Sequence, residues 1–175
     1  MKQMEIANRV FCPEKFKFLR ADAIIRDNDL VPESGGGVYA LFVRGGQRVL
    51  QASGYFEMGG QKPASIDGFV QVYIGSTYEP RRRLKEHLEG EIGSSTLRKT
   101  LFAIDACCSQ PRRLMQGCGN AWNEDTLTDW LVANTVIAIR PSGNPHALEK
   151  NLLSRTASPL NITQRRSNQY ARRLT

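Results

Sequence analysis

Three side chains suited to phosphate chemistry lie within one short stretch, from Val72 to His87. Tyr73 falls in an apolar run, and Arg83 and His87 follow Pro80 with a spacing of four residues. A guanidinium can balance negative charge that develops on a phosphate, and an imidazole can move a proton near neutral pH. The stretch therefore predicts a site that acts on phosphate. The alternative is an ordinary strand followed by a solvated basic helix, with His87 at the surface.

A strand, a turn and a helix would bring these three side chains together. Residues 72–74 favour a strand that ends at Gly75, and Pro80 suits the first turn of a helix that continues to about Gly90. Residues four apart lie one above the other on a helix, so Arg83 and His87 share a face near the end of the strand that carries Tyr73.

The composition of the 175 residues predicts one domain with a hydrophobic core. Twenty-four Lys and Arg against seventeen Asp and Glu give a net charge of +7, which favours a polyanionic partner. Charge alone does not separate nucleic acid from an anionic membrane. The chain has no apolar run approaching the roughly 20 residues that cross a bilayer. We therefore expect a soluble, cytoplasmic protein without a membrane partner.

The four cysteines lack the paired spacing of a zinc knuckle. We interpret them as free thiols, without a structural zinc or a disulfide framework. They are Cys12, Cys107, Cys108 and Cys118.

Hydrophobic patterns predict the remaining elements. Two more core strands are expected over 38–43 and 135–140, with an exposed strand over 48–56 and an irregular connection over 58–68. One further helix is expected over 97–105, followed by a loop or hairpin over 107–121. Another helix is expected to start at Asn123 and to bury one stripe of apolar side chains, and a last one is expected over 146–154 after an Asn144 cap. The stripe consists of Leu127, Trp130 and Leu131.

Two polar residues near the end of the chain border apolar positions. Glu149 lies one step round the helix from Leu148, at the edge of the stripe formed with Leu152. Such a carboxylate is either solvated or paired in a salt bridge, or it is a metal ligand at a place where apolar neighbours reduce its hydration. Asn161 lies between Leu160 and Ile162, and a buried amide at this position needs hydrogen-bond partners.

Several basic residues are candidates for contacts with a polyanion. Arg98 and Lys99 face either solvent or a phosphate, and solvent is the safer expectation. The segment 164–175 is either a disordered basic end or an arm along phosphates, and the overall charge slightly favours the arm. The candidates for nucleic-acid contacts are Arg81, Arg98, Lys99, Arg165, Arg166, Arg172 and Arg173.

Taken together, the ordered motifs resemble the GIY-YIG nuclease superfamily over about residues 37–162. They are Gly37-Val38-Tyr39, Tyr73-Ile74-Gly75, Arg83 with His87, Glu149 and Asn161. The resemblance implies an α/β fold with a small three-stranded antiparallel sheet flanked by helices. The domain would span 35–163, with an extension (1–34) packed on it and a basic tail (164–175). The first two core strands are farther apart than is usual, so an insertion over about 45–68 would loop out beside the site.

The same resemblance implies hydrolysis of phosphodiester bonds with one divalent cation, Mg²⁺ or Mn²⁺. Tyr39 would be the general base, although the choice between it and Tyr73 is open, and Tyr73 would orient the water or phosphate. Arg83 would hold the phosphate, and His87 would assist proton movement or bind the phosphate. The remaining implied roles are metal ligation by Glu149 and hydrogen bonding by Asn161. A tyrosine base requires nearby cations that lower its pKa from about 10.

The leading hypothesis is a metal-dependent DNA endonuclease that would associate with the nucleoid when bound to DNA, and a restriction endonuclease is one form that it could take. A homodimer would suit cleavage of both strands at a palindrome. The alternatives are a catalytically silent nucleic-acid-binding module and a structure-specific phage or repair nuclease. A basic membrane-surface protein is poorly supported, because no long amphipathic basic helix is present.

Overall fold

A computed structural model describes residues 10–12, 14–57, 59–107 and 123–161. Its strands are β1 (Lys17–Arg20), β2 (Gly37–Arg44), β3 (Ser65–Ile66), β4 (Phe69–Thr77) and β5 (Thr135–Pro141). Its α-helices are α1 (Ala21–Arg26), α2 (Gly46–Ala52), α3 (Pro80–Leu88), α4 (Thr96–Cys107), α5 (Glu124–Asn134) and α6 (Pro145–Arg155). Two short 3₁₀ turns, Asn28–Leu30 and Ile92–Ser94, lie between them.

The strands form one antiparallel sheet in the order β1-β5-β2-β4-β3. The three expected core strands are its centre, but the expected number was wrong, since the described chain contributes five strands. The two additional strands are the short β1, which pairs with β5, and the two-residue β3, which forms a hairpin with β4. Both are too short to show a clear alternating pattern in the sequence.

The sheet is buried on both faces by two clusters of apolar side chains. Because side chains alternate along a strand, Tyr39 and Leu41 of β2 face the first cluster, with α1 to α5. Ala40 and Phe42 face the second cluster, which includes Leu152 of α6. The continuous apolar run of β2 follows from this double burial.

The segment expected as an insertion beside the site packs into the core instead. Residues 48–56 do not form the expected exposed strand, because a left-handed Gly45 (φ 74°) starts α2 directly after β2. Leu50 is fully buried and Tyr55 is 1% exposed. The Tyr55 hydroxyl donates to the Gln61 carbonyl at 2.9 Å, which closes the turn that follows α2.

Three expected helix starts are confirmed. Pro80 occupies the first turn of α3, as expected for proline. Asn123 and Thr126 form a capping box at the start of α5, and the Asn144 side chain accepts a hydrogen bond from the Ala147 amide at the start of α6. None of the described helices combines the length and apolar character needed to cross a membrane.

Arg98 is buried, which corrects the expectation that it faces solvent or a phosphate. Its side chain is fully buried on α4. It donates to the Leu88 carbonyl at 2.8 Å and to the Thr128 hydroxyl at 3.0 Å. It also donates at 3.1 Å to both the carbonyl and the carboxylate of Glu124. The guanidinium therefore joins the end of α3 to the start of α5 and supplies a partner to an otherwise open helix-terminal carbonyl.

Replacing Arg98 should destabilise the fold far more than replacing its neighbour Lys99, which is exposed. We expect Arg98→Ala to lower the free energy of unfolding by about 3 kcal/mol, because it leaves buried acceptors without a donor. Lys99→Ala should change it by less than about 0.5 kcal/mol. Urea denaturation followed by circular dichroism measures both. Equal small losses would show that the buried guanidinium does not join the helices.

Candidate active site

Three aromatic rings from three elements meet beside β4. The Tyr39 hydroxyl oxygen of β2 lies 2.7 Å from Nε2 of His87 on α3. The Tyr73 ring of β4 lies 5.2 Å from the His87 ring and 6.4 Å from the Tyr39 ring, measured between centroids. Tyr39 is 1% exposed and Tyr73 is 9% exposed, whereas His87 is fully buried. The structure thus brings the two tyrosines and the histidine together, as the sequence predicted.

Gly75 provides the space in which the Tyr39 ring lies. It is the cross-strand partner of Tyr39, and a Cβ atom built on Gly75 would lie 2.4 Å from the Tyr39 hydroxyl oxygen. Any side chain at this position would displace the ring. Gly75 of the Tyr-Ile-Gly motif therefore makes room for Tyr39 of the Gly-Val-Tyr motif. It does not end the strand as expected, since β4 continues to Thr77.

His87 is neutral in the folded protein. Burial lowers its pKa to about 3, and the positive charges of Arg83 and Arg98 contribute to the shift. Its Nδ1 lies 2.7 Å from the Ser95 hydroxyl oxygen, which also accepts a hydrogen bond from the Arg98 amide. Of the two implied roles, phosphate binding by a charged imidazole is disfavoured, whereas proton movement through a neutral imidazole is compatible with these contacts.

Both tyrosines hold their protons in the protein alone. Burial raises the pKa of Tyr39 well above the ordinary value for a phenol, and the neighbouring Tyr73 and Glu149 add to the rise. Burial likewise raises the pKa of Tyr73. The charge of Arg83 acts in the opposite direction on both but does not outweigh burial. The expected effect of a nearby cation is therefore present, since Arg83 lowers the pKa of both tyrosines, but it is smaller than the effect of burial.

Arg83 lies beside the tyrosines and is held by an acid that the sequence analysis missed. Its Nη1 donates to the Glu86 carboxylate at 2.6 Å and to the Ser94 carbonyl at 3.3 Å. The Arg83 side chain is 26% exposed, so part of the guanidinium reaches solvent. Glu86 also accepts from Arg82 at 2.5 Å. The spacing of three residues between Arg83 and Glu86 was the available signal for this pair.

Glu149 is buried, at 7% exposure, and approaches from the other side of the sheet. It lies on α6, which packs against the second cluster, yet its charge contributes to the raised pKa of Tyr39 and Tyr73. The Ser76 hydroxyl donates to its carboxylate at 2.5 Å. Since Ser76 follows Gly75, the carboxylate and the Tyr39 hydroxyl converge on the same end of β4.

Two residues around Glu149 were missed by the sequence analysis. The Ser76 hydroxyl oxygen lies 2.8 Å from Nδ1 of His146, so Ser76 contacts both His146 and Glu149. His146 precedes Glu149 by three residues on α6, and this spacing was the signal that could have identified it.

Asn161 pairs with the backbone of β4. It is 3% exposed, and its side-chain amide donates to the Ile74 carbonyl at 2.5 Å and accepts from the Ile74 amide at 2.9 Å. The Ser158 hydroxyl also donates to it, and the Leu160 amide donates to the Val72 carbonyl at 2.9 Å. The expectation that Asn161 is buried and needs partners is confirmed. Residues 158–161 therefore replace a neighbouring strand along the part of β4 that carries Tyr73.

The oxygen atoms of Glu149 and Ser76 are suitable ligands for a hard cation such as Mg²⁺. A carboxylate and a hydroxyl offer only oxygen ligands, which this ion prefers, and it commonly binds through one or two carboxylates while keeping several waters. Within the part of the chain that the structure describes, no group of three or more His, Cys, Asp or Glu side chains could hold a metal ion. Glu149 would therefore be the principal protein ligand, with Ser76 beside it.

The remaining candidates for nucleic-acid contacts differ in their surroundings. Arg81 donates to the Val31 carbonyl at 3.1 Å and to the Asp29 carboxylate at 3.2 Å, so it holds the N-terminal segment against α3. Arg98 is buried and Lys99 is exposed. The four arginines of the tail lie outside the described residues, namely Arg165, Arg166, Arg172 and Arg173.

Comparison with known families agrees with this arrangement. Residues 37–175 match the family described as the GIY-YIG catalytic domain, which covers most of the chain. The chain therefore belongs to the GIY-YIG family, which implies a nuclease. The comparisons with curated proteins and with solved structures found no match.

The buried neutral His87 predicts a specific loss of stability in acid. In the unfolded chain the imidazole binds a proton below its ordinary pKa of 6.5, whereas in the fold it remains neutral down to about 3. Acid therefore favours the unfolded state, and the stability present above pH 6.5 is lost as the pH falls towards 3. The loss is about 1.4 kcal/mol for each unit of the pKa difference.

Urea denaturation at several pH values tests this dependence, with His87→Gln as the control that lacks the buried imidazole and keeps His146. The carboxylates titrate in both proteins, so only the difference between the two curves reports His87. We expect the curve of the variant to be flatter between pH 6.5 and 3. Parallel curves would show that His87 binds its proton at the same pH in the folded protein as in the unfolded chain.

Proposed function

We propose that this protein is a metal-dependent DNA endonuclease that hydrolyses phosphodiester bonds with the side chains around Tyr39. The observation that carries the proposal is the contact between Tyr39 and His87, at 2.7 Å, beside the positive Arg83 and the negative Glu149. A proton-transfer pair placed between a cation and an acid suits attack of water on a phosphodiester. Membership of the GIY-YIG family supports the same reaction.

Tyr39 is proposed as the general base and His87 as the acceptor of its proton. As the attacking water loses a proton to the Tyr39 oxygen, the phenol proton passes to Nε2 of His87, which is already within hydrogen-bond distance. Burial disfavours both charged forms in the protein alone, so this transfer must be coupled to binding of the substrate. Tyr73 is more exposed than Tyr39 and is proposed to orient the water or the phosphate.

Arg83 is proposed to exchange its partner when the substrate binds. The guanidinium is held by Glu86 in the protein alone and is partly exposed, so a phosphate can take over one side of its planar donor fork. Glu149, with Ser76, would hold a Mg²⁺ or Mn²⁺ ion, which would neutralise charge on the phosphate. Asn161 would keep the Tyr73 segment of β4 in place through the Ile74 backbone.

The net charge of +7 supports DNA as the polyanionic substrate. One such site cuts one strand at a time, so cleavage of both strands would suit a symmetric homodimer, as in a restriction endonuclease that acts on a palindrome. Nicked plasmid as the final product would instead favour a protein that acts as a monomer or on a particular DNA structure.

Glu149→Gln should abolish most cleavage of supercoiled plasmid in Mg²⁺. The amide keeps the size of the side chain but removes the charge that would bind the ion, and we expect a loss of about a hundredfold or more. Glu89→Gln is the matched control, because Glu89 is an exposed acid at the end of α3. Gel electrophoresis with Mg²⁺ and with EDTA measures nicked and linear products.

Two outcomes would contradict this assignment. Cleavage that survives Glu149→Gln would remove the proposed metal ligand. Plasmid that is shifted but uncut by the wild-type protein in Mg²⁺ or Mn²⁺ would favour a catalytically silent binding module.

Tyr39→Phe should lower the rate of cleavage by about 10²-fold or more, because it removes the proton-transferring oxygen but keeps the ring. Tyr55→Phe is the matched control, since Tyr55 is an equally buried tyrosine whose hydroxyl bonds the Gln61 carbonyl instead of His87. Single-turnover cleavage of plasmid measures both variants. Equal rates for the two variants would exclude Tyr39 as the base and direct attention to Tyr73.

A further inference from the structure

An exposed tyrosine lies at the end of β4, outside the set of residues already assigned. Among the described residues the large hydrophobic side chains that are exposed are Tyr78, at 54%, and Phe102, at 36%. Tyr78 directly follows β4, two residues beyond Ser76. A tyrosine that leaves half of its surface in water contributes little to the core, and that surface is accessible to a ligand.

The Tyr78 ring is held from two sides. It makes an edge contact with the His146 ring, with centroids 5.6 Å apart and an interplanar angle of 79°. The backbone of Gly36 lies close on another side, since a Cβ atom built there would be 3.3 Å from Cδ1 of Tyr78. An aromatic surface that is already positioned loses little conformational entropy when a ligand stacks on it.

His146 connects this ring to the candidate active site. Its Nδ1 lies 2.8 Å from the Ser76 hydroxyl oxygen, and the same hydroxyl donates to Glu149 at 2.5 Å. His146 is itself exposed, so the two rings form an aromatic surface beside the carboxylate. We name Tyr78 and His146 the aromatic rim.

We propose that the aromatic rim is a stacking site for an unpaired nucleobase next to the phosphate that is cleaved. The proposal rests on the nuclease function proposed above and deepens it by naming a substrate class. The Ser76 hydroxyl contacts both His146 of the rim and Glu149. A nucleotide whose phosphate binds near Glu149 would therefore have its base near Tyr78. Stacking on an aromatic side chain stabilises a base of any sequence.

The base must be unpaired because stacking on Tyr78 requires a base with a free face. In an intact duplex both faces of each base are covered by neighbouring bases, so stacking on a protein side chain requires an unstacked or extruded nucleotide. The substrate class is therefore DNA with a short single-stranded element at the cleavage site, such as a bubble or a flap. Intact duplex would bind through its phosphates alone.

Binding in EDTA tests the rim without any contribution from cleavage. The probes are two fluorescein-labelled duplexes of the same sequence, one fully paired and one with a short unpaired bubble, measured by fluorescence anisotropy. We expect Tyr78→Ala to weaken binding of the bubble DNA by roughly tenfold. Tyr78→Phe keeps the ring and should bind as the wild type does, and Phe102→Ala is the matched control for loss of an exposed aromatic side chain.

A second measurement places the base. With 2-aminopurine in the bubble, stacking on Tyr78 should quench its fluorescence in complexes with the wild type and Tyr78→Phe, but not with Tyr78→Ala. Equal weakening of paired and bubble DNA by Tyr78→Ala, or an equal effect of Phe102→Ala, would overturn the proposal. Because binding is measured without metal, a protein that binds bubble DNA through Tyr78 but cuts neither plasmid nor bubble DNA in Mg²⁺ would refute the endonuclease and retain the stacking site.

Discussion

The close approach of the Tyr39 ring to β4 is the constraint on which the site depends. The ring lies over Gly75, where a side chain would collide with its hydroxyl group, and in this position the hydroxyl contacts His87. The same end of β4 carries Ser76, which contacts Glu149, and the adjoining Ile74 backbone is held by Asn161. One strand thereby assembles side chains that belong to both faces of the sheet.

Burial gives this site an uncharged centre with charges around it. Tyr39 and His87 are removed from water and remain neutral in the protein alone. Arg83 is balanced by Glu86, and Glu149 accepts a hydrogen bond from Ser76. The ion pair between Arg83 and Glu86 restrains a cation that would otherwise attract any anion, because a competing partner must first replace the carboxylate. In the proposed mechanism, charge separation at the centre would therefore follow the binding of a phosphate.

The sequence was most informative where one side chain determines the local structure. Pro80, Asn123 and Asn144 start helices as expected, and the long apolar runs form the central strands. Arg98 was misjudged because a buried arginine is acceptable only when tertiary partners satisfy it, and these come from α3 and α5. Residues 48–56 were misassigned because burial of Leu50 and Tyr55 depends on packing that a local pattern does not contain. Ser76 had no signal in the sequence, because its contacts with His146 and Glu149 require α6 to lie beside β4.

The hydrogen bonds between Asn161 and Ile74 join residues 87 positions apart in the chain. During synthesis the edge of β4 is made long before the segment 158–161 that covers it. An uncovered strand edge can pair with another chain, so the nascent protein carries an aggregation-prone edge until that segment emerges from the ribosome. The same delay postpones the hydrogen bonds that hold the Ile74 backbone beside the candidate site.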